Sequence, residues 1–193
     1  MMTNEQINQP DSIKSIIISS SEIIDVFKIS KDDSWKLCDF IVSNEDRLLD
    51  FLPRTREQNL TPNLSEQFVS SKVKEFDTKQ EFLFTLKRKG YKDIIGLIYI
   101  KKLDWVKMQG EFAYAIDYNF EGKGIVSKVI QEMSNFAFYE LGLETLQIIA
   151  HKTNVASCKV AENNNFRWVK TLLNEYTPKG KEPLDMELYE LYK

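Results

Sequence analysis

Two glycines that flank a lysine, Gly122 and Gly124, mark the first place where this sequence could do chemistry. The run before them, "QGEFAYAID", predicts a β-strand, and the run after them, "IVSKVI", predicts a helix. The first backbone N–H groups of a helix have no partner within it and carry partial positive charge, so they can bind phosphate oxygens. Glycine also permits positive φ angles and a close backbone approach. The spacing therefore favours a phosphate site at the start of this helix.

The glycine pair does not match the two familiar phosphate motifs, and by itself it is equally compatible with an ordinary turn. A dinucleotide fingerprint would have a third glycine where Ser127 stands, and a P-loop would read GxxxxGK[ST]. A second predicted helix start adds support, because Asn154 and Ser157 lie three residues apart there, as in an N-cap. It follows the next strand of a predicted parallel pair. Both helix starts would then open at one edge of the sheet, where ligands of α/β sheets bind.

The composition limits the classes of function. The chain has 193 residues, 42% of them hydrophobic, which suits one domain with a sizeable core. The net charge is -3 and the basic residues are scattered, so we expect no nucleic-acid partner. The start resembles no signal peptide and no window approaches a membrane span, so we expect a cytoplasmic protein with no membrane partner. Cys38 and Cys158 lie far apart without a CxxC, and we expect no disulfide and no metal.

The first half of the chain predicts mainly helices. Residues 1–21 form an N-terminal arm or an extra strand, two alternatives that the sequence leaves open, and residues 22–193 form the domain. A strand is predicted over 22–29, followed by helices within 32–44, 45–52 and 65–76, with a break over 53–62. The first helix is predicted to start at Asp32 or Asp33 and to bury Trp35, Cys38, Ile41 and Val42.

The second half predicts a run of hairpin strands and then alternating elements. The strands "EFLFTLKRKG", "YKDIIGLIYIKKL" and "QGEFAYAID" are typical of an antiparallel meander. A helix from Gly124 then leads to a buried strand near 145–151, a short helix and two closing strands. That helix would be a crossover, which makes the strands at 110–117 and 145–151 parallel neighbours. The order of elements indicates an α+β or mixed α/β single domain.

In this order and spacing, the residues resemble a known family, the GNAT acetyltransferases, and within it the Rim-type ribosomal-protein N-terminal acetyltransferases. The resemblance covers roughly residues 22–192. It rests on "GEFAYAID" with "FEGKGIVSKVI", on "IIAHKTNVASCKVAENNNF" and, more loosely, on "LLDFLP". It implies a central, mostly antiparallel sheet flanked by helices, with a parallel strand pair splayed at the acetyl-CoA site. Acetyl-CoA is the implied cosubstrate, without a metal.

The resemblance also implies which residues bind the cofactor. The pyrophosphate would lie on the amides of Gly122, Lys123, Gly124, Ile125 and Val126. The strand backbone at Tyr114 and Ile116, the pantetheine contact Asn154, and Ser157 near the thioester sulfur complete the set.

The sequence departs from the family pattern at four positions. Glu121 replaces the family's Gln or Arg, and Val126 replaces a Gly or Ala. Ala161 stands where many members have a tyrosine acid. Asn165 precedes Phe166 in place of glycine, and asparagine tolerates left-handed geometry.

Acetyl transfer to an amine requires a base, a polarised thioester carbonyl and a proton for the leaving thiolate. Glu111 is the predicted base, acting directly or through water, and the alternative is a solvated edge glutamate. Asp117 is the second choice of base. Ser157 is the candidate acid or hydrogen-bond donor to sulfur, and the Tyr114 N–H is the candidate oxyanion donor.

Two further residues near the site have structural interpretations. His151 is expected to have a structural or supporting role, since its position alone is no evidence of catalysis. Cys158 is expected to be buried rather than nucleophilic, because no His/Asp partner is visible to activate it.

The resemblance predicts an N-acetyltransferase that acetylates a primary amine by direct attack in a ternary complex. The acceptor is a protein N-terminus of the ribosomal type or a small-molecule amine, bound between residues 51–64 and the last strands. Two alternatives stay open: a non-catalytic acyl-CoA-binding module, and a polyamine or antibiotic acetyltransferase. A homodimer is expected from family similarity.

Overall fold

The computed structural model describes residues 12–20, 22–178 and 180–193. Its eight strands form one sheet in the order β1-β2-β3-β4-β5-β6-β8-β7. The strands are β1 Lys14–Ser19, β2 Glu22–Lys28, β3 Phe82–Arg88, β4 Ile94–Asp104, β5 Gln109–Ile116, β6 Thr145–Ala150, β7 Arg167–Tyr176 and β8 Leu184–Tyr192. The helices are α1 Ser34–Ser43, α2 Glu45–Phe51, α3 Pro53–Glu57, α4 Pro62–Asp77, α5 Ile125–Tyr139 and α6 Val155–Asn163. The predicted mixed α+β fold is confirmed.

One parallel pair interrupts an otherwise antiparallel set of pairings among the described strands. β5 and β6 run parallel, as the crossover helix α5 predicts. Their register extends from Gln109↔Thr145 to Phe112↔Ile148, whereas β5 continues to Ile116. The two strands therefore separate beyond Phe112 and leave an opening at their carboxyl ends.

The sheet carries a layer of helices on each face. Residues of α5 and α6 pack on one face against Ile98, Ile100 and Phe112. Residues of α1 and α4 pack on the other face against Leu97 and Tyr99. Successive side chains of a strand point to opposite faces, so the central strands are buried on both sides. This two-layer packing fixes which side of β5 each candidate residue faces.

Three local predictions in the first half of the chain are wrong. Trp35 and Val42 are exposed (68% and 49%), and Leu37 and Phe40 occupy the buried stripe of α1 together with Cys38 and Ile41. Trp35 lies in the first turn of α1, and a different stripe of the same helical pattern faces the sheet. The segment 53–62 was predicted as a break between helices, but it contains α3. Pro53 stands in the first turn of α3, where proline is compatible with a helix.

The N-cap of α1 is Asp33, one of the two predicted positions. Asp33 precedes α1 but its side chain makes no capping bond to that helix. Its carboxylate accepts hydrogen bonds from the N–H and hydroxyl of Ser30, both at 3.0 Å, and pairs with Lys87 at 2.6 Å. Asp33 is therefore a buried anchor between the chain before α1 and strand β3.

The N-terminal segment contributes to the sheet where it is described. β1 pairs antiparallel with β2, and Lys128 of α5 donates a hydrogen bond to the carbonyl of Ile18 at 2.7 Å. Residues 1–11 and Ser21 lie outside the described residues, so the proposed division at residue 22 stays a prediction. No helix within the described parts of the chain is both long and apolar enough to cross a membrane.

Candidate active site

The glycine turn has the backbone geometry that a phosphate site requires. Gly122 and Gly124 have φ angles of +69° and +72°. A Cβ added at either would meet no atom within 4 Å, so the backbone conformation, rather than lack of space, favours glycine here. Gly124 is the N-cap of α5 and provides no side chain to bind the helix's first N–H groups. Those groups are available to an anion.

The second helix start is capped as predicted. The side-chain oxygen of Asn154 accepts a hydrogen bond from the Ser157 N–H at 3.1 Å. The hydroxyl of Ser157 lies 2.8 Å from that of Tyr114 on β5. Because α6 follows β6, this hydrogen bond spans the opening between the two parallel strands. Burial raises the pKa of the Tyr114 hydroxyl, despite its bond to Ser157, so the phenol stays protonated at neutral pH.

Backbone donors of β5 also face this opening. The N–H of Asp117 donates to the carbonyl of Ile95 on the β4 side at 2.8 Å. Alternate residues of a strand direct their N–H groups to opposite neighbours, so those of Tyr114 and Ile116 point toward β6. The β5–β6 pairing ends at Phe112, and these two N–H groups therefore lie along the opening.

Glu111 lies on the other face of β5. Its position has the same strand parity as Ala113, which packs with α1 and α4, whereas Tyr114 packs with α5 and α6. Glu111 is 5% exposed, so the alternative of a solvated edge glutamate is wrong. Its carboxylate pairs with Lys101 at 3.1 Å and with Lys102 at 2.9 Å.

The structure thus does not bring the two predicted catalytic side chains together on one face. Ser157 meets Tyr114 on the α5 and α6 face, and Glu111 meets two ammonium groups on the α1 and α4 face. The lysine pairs could not be predicted locally, because the bulge in β4 that directs Lys102 to Glu111 has no sequence signature. Each carboxylate oxygen of Glu111 therefore has one ammonium group as a neighbour.

Asp117, the second choice of base, is engaged in the turn after β5. One carboxylate oxygen accepts the Asn119 N–H at 2.8 Å, and the other accepts from the side-chain amide of Asn44 at 3.1 Å. These contacts fit the role of a turn former. Glu121 forms an ion pair with Arg47 of α2, a partner that the sequence analysis missed because it lies in a distant element.

The structure also places the other residues that the sequence analysis discussed: His151, Cys158, Ala161 and Asn165. His151 shares a hydrogen bond with the Thr153 hydroxyl at 2.7 Å. Cys158 is half-buried and lines an open pocket of about 410 Å³ beside α6, with Trp168 and Tyr189. Ala161 is fully buried in the core and, as an alanine, supplies no acid. The predicted left-handed conformation of Asn165 is confirmed by its φ of +62°.

Comparison with known proteins identifies the family. The model of the acetyltransferase (GNAT) domain matches residues 28–167. The chain therefore belongs to the GNAT acetyltransferase family, and the predicted enzyme class is confirmed. The Bacillus subtilis (strain 168) protein YdaF, provisionally named a ribosomal N-acetyltransferase, is 26% identical over 159 residues, which cover 76% of this chain and 79% of YdaF.

Two solved structures show the same fold. RimL, the ribosomal L7/L12 α-N-protein acetyltransferase in complex with coenzyme A, superposes with a TM-score of 0.83 at 15% identity. The superposition covers 93% of this chain and 98% of RimL. The microcin C7 self-immunity acetyltransferase MccE, in complex with acetyl-CoA and AMP, gives a TM-score of 0.81 at 19% identity over 96% of this chain and 98% of MccE. Structural neighbours of this chain therefore bind coenzyme A.

Proposed function

We propose that this enzyme transfers the acetyl group of acetyl-CoA to a primary amine, and that the amine is the N-terminus of a protein of the ribosomal type. The observation that carries the proposal is the opening between β5 and β6, edged by the glycine turn and crossed by the Tyr114–Ser157 hydrogen bond. Family membership supports the acetyl transfer. The names of YdaF and RimL support the ribosomal-protein acceptor.

The described residues fit the cofactor. The uncapped start of α5 offers N–H groups from Gly122 to Val126 to the pyrophosphate, with Lys123 beside them. The side-chain oxygen of Asn154 caps α6, which leaves the side-chain NH2 group to donate a hydrogen bond to the pantetheine arm. The N–H groups of Tyr114 and Ile116 can bind the cofactor's amide or thioester oxygens along the opening.

The reaction then needs few protein groups. The amine nitrogen attacks the thioester carbonyl carbon, and the Tyr114 N–H stabilises the developing oxyanion. The C–S bond breaks, and the Ser157 hydroxyl, itself hydrogen-bonded to Tyr114, donates a hydrogen bond or a proton to the departing sulfur. Glu111 accepts the proton of the amine, directly or through water, after a lysine yields its place.

The acceptor site lies on the α1 and α4 face, between residues 51–64 and the last strands. Lys102 supports this location, because it pairs with Glu111 at 2.9 Å and with Glu175 of β7 at 3.7 Å, so the β7–β8 hairpin reaches the surface around Glu111. A small-molecule amine is the second candidate acceptor, favoured by the likeness to the self-immunity enzyme MccE.

The predicted homodimer is tested by light scattering.

The first test is calorimetric titration with acetyl-CoA. We expect binding by the wild type and loss of binding in Gly124→Glu, which fills the turn with a negative side chain. Gly180→Glu is the matched control, because Gly180 has a similar φ of +70° and equally open surroundings outside the glycine turn. Absence of binding by the wild type would refute the proposal.

The second test identifies the acceptor. Release of coenzyme A is measured with N-terminal peptides of ribosomal proteins and with polyamines, and the acetylated atom is located by mass spectrometry. Turnover on peptides alone supports the protein acceptor, and turnover on polyamines alone supports the small-molecule alternative. Binding without turnover on any amine would favour the non-catalytic module.

A further inference from the structure

An ion pair joins helix α2 to the residue that opens the cofactor turn. The guanidinium of Arg47 contacts the carboxylate of Glu121, and each side chain is about two-fifths exposed (40% and 42%). Glu121 immediately precedes Gly122. The resemblance implies a Gln or an Arg at the position of Glu121. A carboxylate at this place would repel a diphosphate bound to the turn, unless its charge is compensated.

A second contact holds α2 against the same loop. Asn44, between α1 and α2, is 4% exposed and donates from its side-chain amide to Asp117 at 3.1 Å. Its side-chain oxygen accepts the N–H of Tyr118 at 3.2 Å. Arg47 follows less than one helical turn later. The start of α2 is therefore fixed to the loop, and Arg47 is held where it reaches Glu121.

We propose that Arg47 is a positioning residue for the cofactor: it neutralises Glu121, so that the glycine turn accepts the diphosphate of coenzyme A. The inference rests on the proposed function, since it needs coenzyme A at this turn. Glu121 adjoins the amides on which the diphosphate would lie, and the Debye length is about 8 Å at physiological ionic strength, so salt would not screen an uncompensated carboxylate from the phosphates. Lys123, above the Phe120 ring at 4.9 Å, is a second cation near the site.

The test is a double-mutant cycle on the dissociation constant for coenzyme A, measured by calorimetry with the whole chain. Arg47→Met is expected to weaken binding about three- to tenfold, from one repulsive charge near two phosphates in high dielectric. Glu121→Gln alone is expected to bind at least as well as the wild type. Arg47→Met combined with Glu121→Gln is expected to return to within about twofold of the wild type.

Two controls separate this role from others. Lys31→Met removes one positive charge from an exposed position before α1, outside the acceptor site and the glycine turn, and we expect unchanged affinity. The defect of Arg47→Met should shrink at about 1 M salt, where the Debye length is about 3 Å. Unchanged thermal unfolding of all variants would show that folding is not the cause.

The outcomes distinguish the inference from the function on which it rests. No coenzyme A binding by the wild type refutes the proposed function itself. Wild-type binding with an unaffected Arg47→Met overturns the inference alone. A weakened Arg47→Met that Glu121→Gln does not rescue also overturns it, because Arg47 would then act on the phosphates or the fold directly.

Discussion

The hydroxyl of Tyr114 lies 2.8 Å from the hydroxyl of Ser157, and this hydrogen bond joins β5 to the first turn of α6 across the opening between β5 and β6. The Tyr114 hydroxyl is also 3.4 Å from the Ser157 carbonyl oxygen. Tyr114 thus contributes twice to the site: its N–H faces the opening, and its side chain fixes the orientation of the Ser157 hydroxyl.

Tyr114→Phe should lower kcat without lowering the affinity for coenzyme A. The change removes the partner of the Ser157 hydroxyl and leaves the backbone donor in place. We expect a loss of roughly tenfold in kcat and of about 1 kcal/mol in the free energy of unfolding, the usual worth of one hydrogen bond. Steady-state kinetics and urea unfolding measure the two effects. Ser157→Ala is the companion variant, and full activity in both would exclude a role for this pair.

Glu111→Gln should reduce kcat by about a hundredfold if Glu111 is the base, because general base catalysis is typically worth 10² to 10⁴. Coenzyme A affinity should be unchanged, since Glu111 lies on the opposite face from Tyr114. Lys102→Met is the informative control: it keeps the carboxylate and removes one competitor of the amine, so activity should be retained or increased. Equal losses in both variants would instead indicate a structural ion-pair cluster.

The pH dependence of stability should reveal the raised pKa of Tyr114. Burial raises the pKa of Tyr114, so its proton is bound more tightly in the folded state than in the unfolded one. The resulting stabilisation is fully present below the unfolded-state pKa of about 10 and is lost as the pH rises further. The difference in melting temperature between the wild type and Tyr114→Phe should therefore shift against the wild type above pH 10. A difference that stays constant from pH 8 to pH 11 would contradict this.

Two lysine variants should differ strongly in stability. Lys87→Met leaves the carboxylate of Asp33, 1% exposed, without its ammonium partner, and we expect a loss of about 3 kcal/mol or more. Lys28→Met removes an exposed pair with Asp77, worth about 1 kcal/mol or less. Urea unfolding compares the two. Similar small losses would show that the two Ser30 hydrogen bonds suffice to hold Asp33.

The local features of the site could be predicted from the sequence. Glycines with positive φ, the Asn154 cap and the left-handed Asn165 all depend on interactions within a few residues, so the residue types themselves indicate the geometry. The parallel pairing of β5 with β6 followed in the same way from the helix between them. The stripe of α1 that faces the sheet was mispredicted, because helical periodicity offers more than one apolar face when Trp35 and Leu37 are both present.

What only the tertiary structure decided is how distant elements meet. The contacts of Arg47 with Glu121, of Tyr114 with Ser157, and of Lys102 with Glu111 join different elements, and none leaves a spacing that a sequence pattern can show. The burial of Glu111 likewise depends on which helices cover its face of β5. The sequence by itself determined the glycine turn and the Asn154 cap, because these depend on local backbone preferences, and the parallel pairing of β5 with β6, because a helix joins the two strands. Packing of the two helical layers determined the partners and the faces of the side chains.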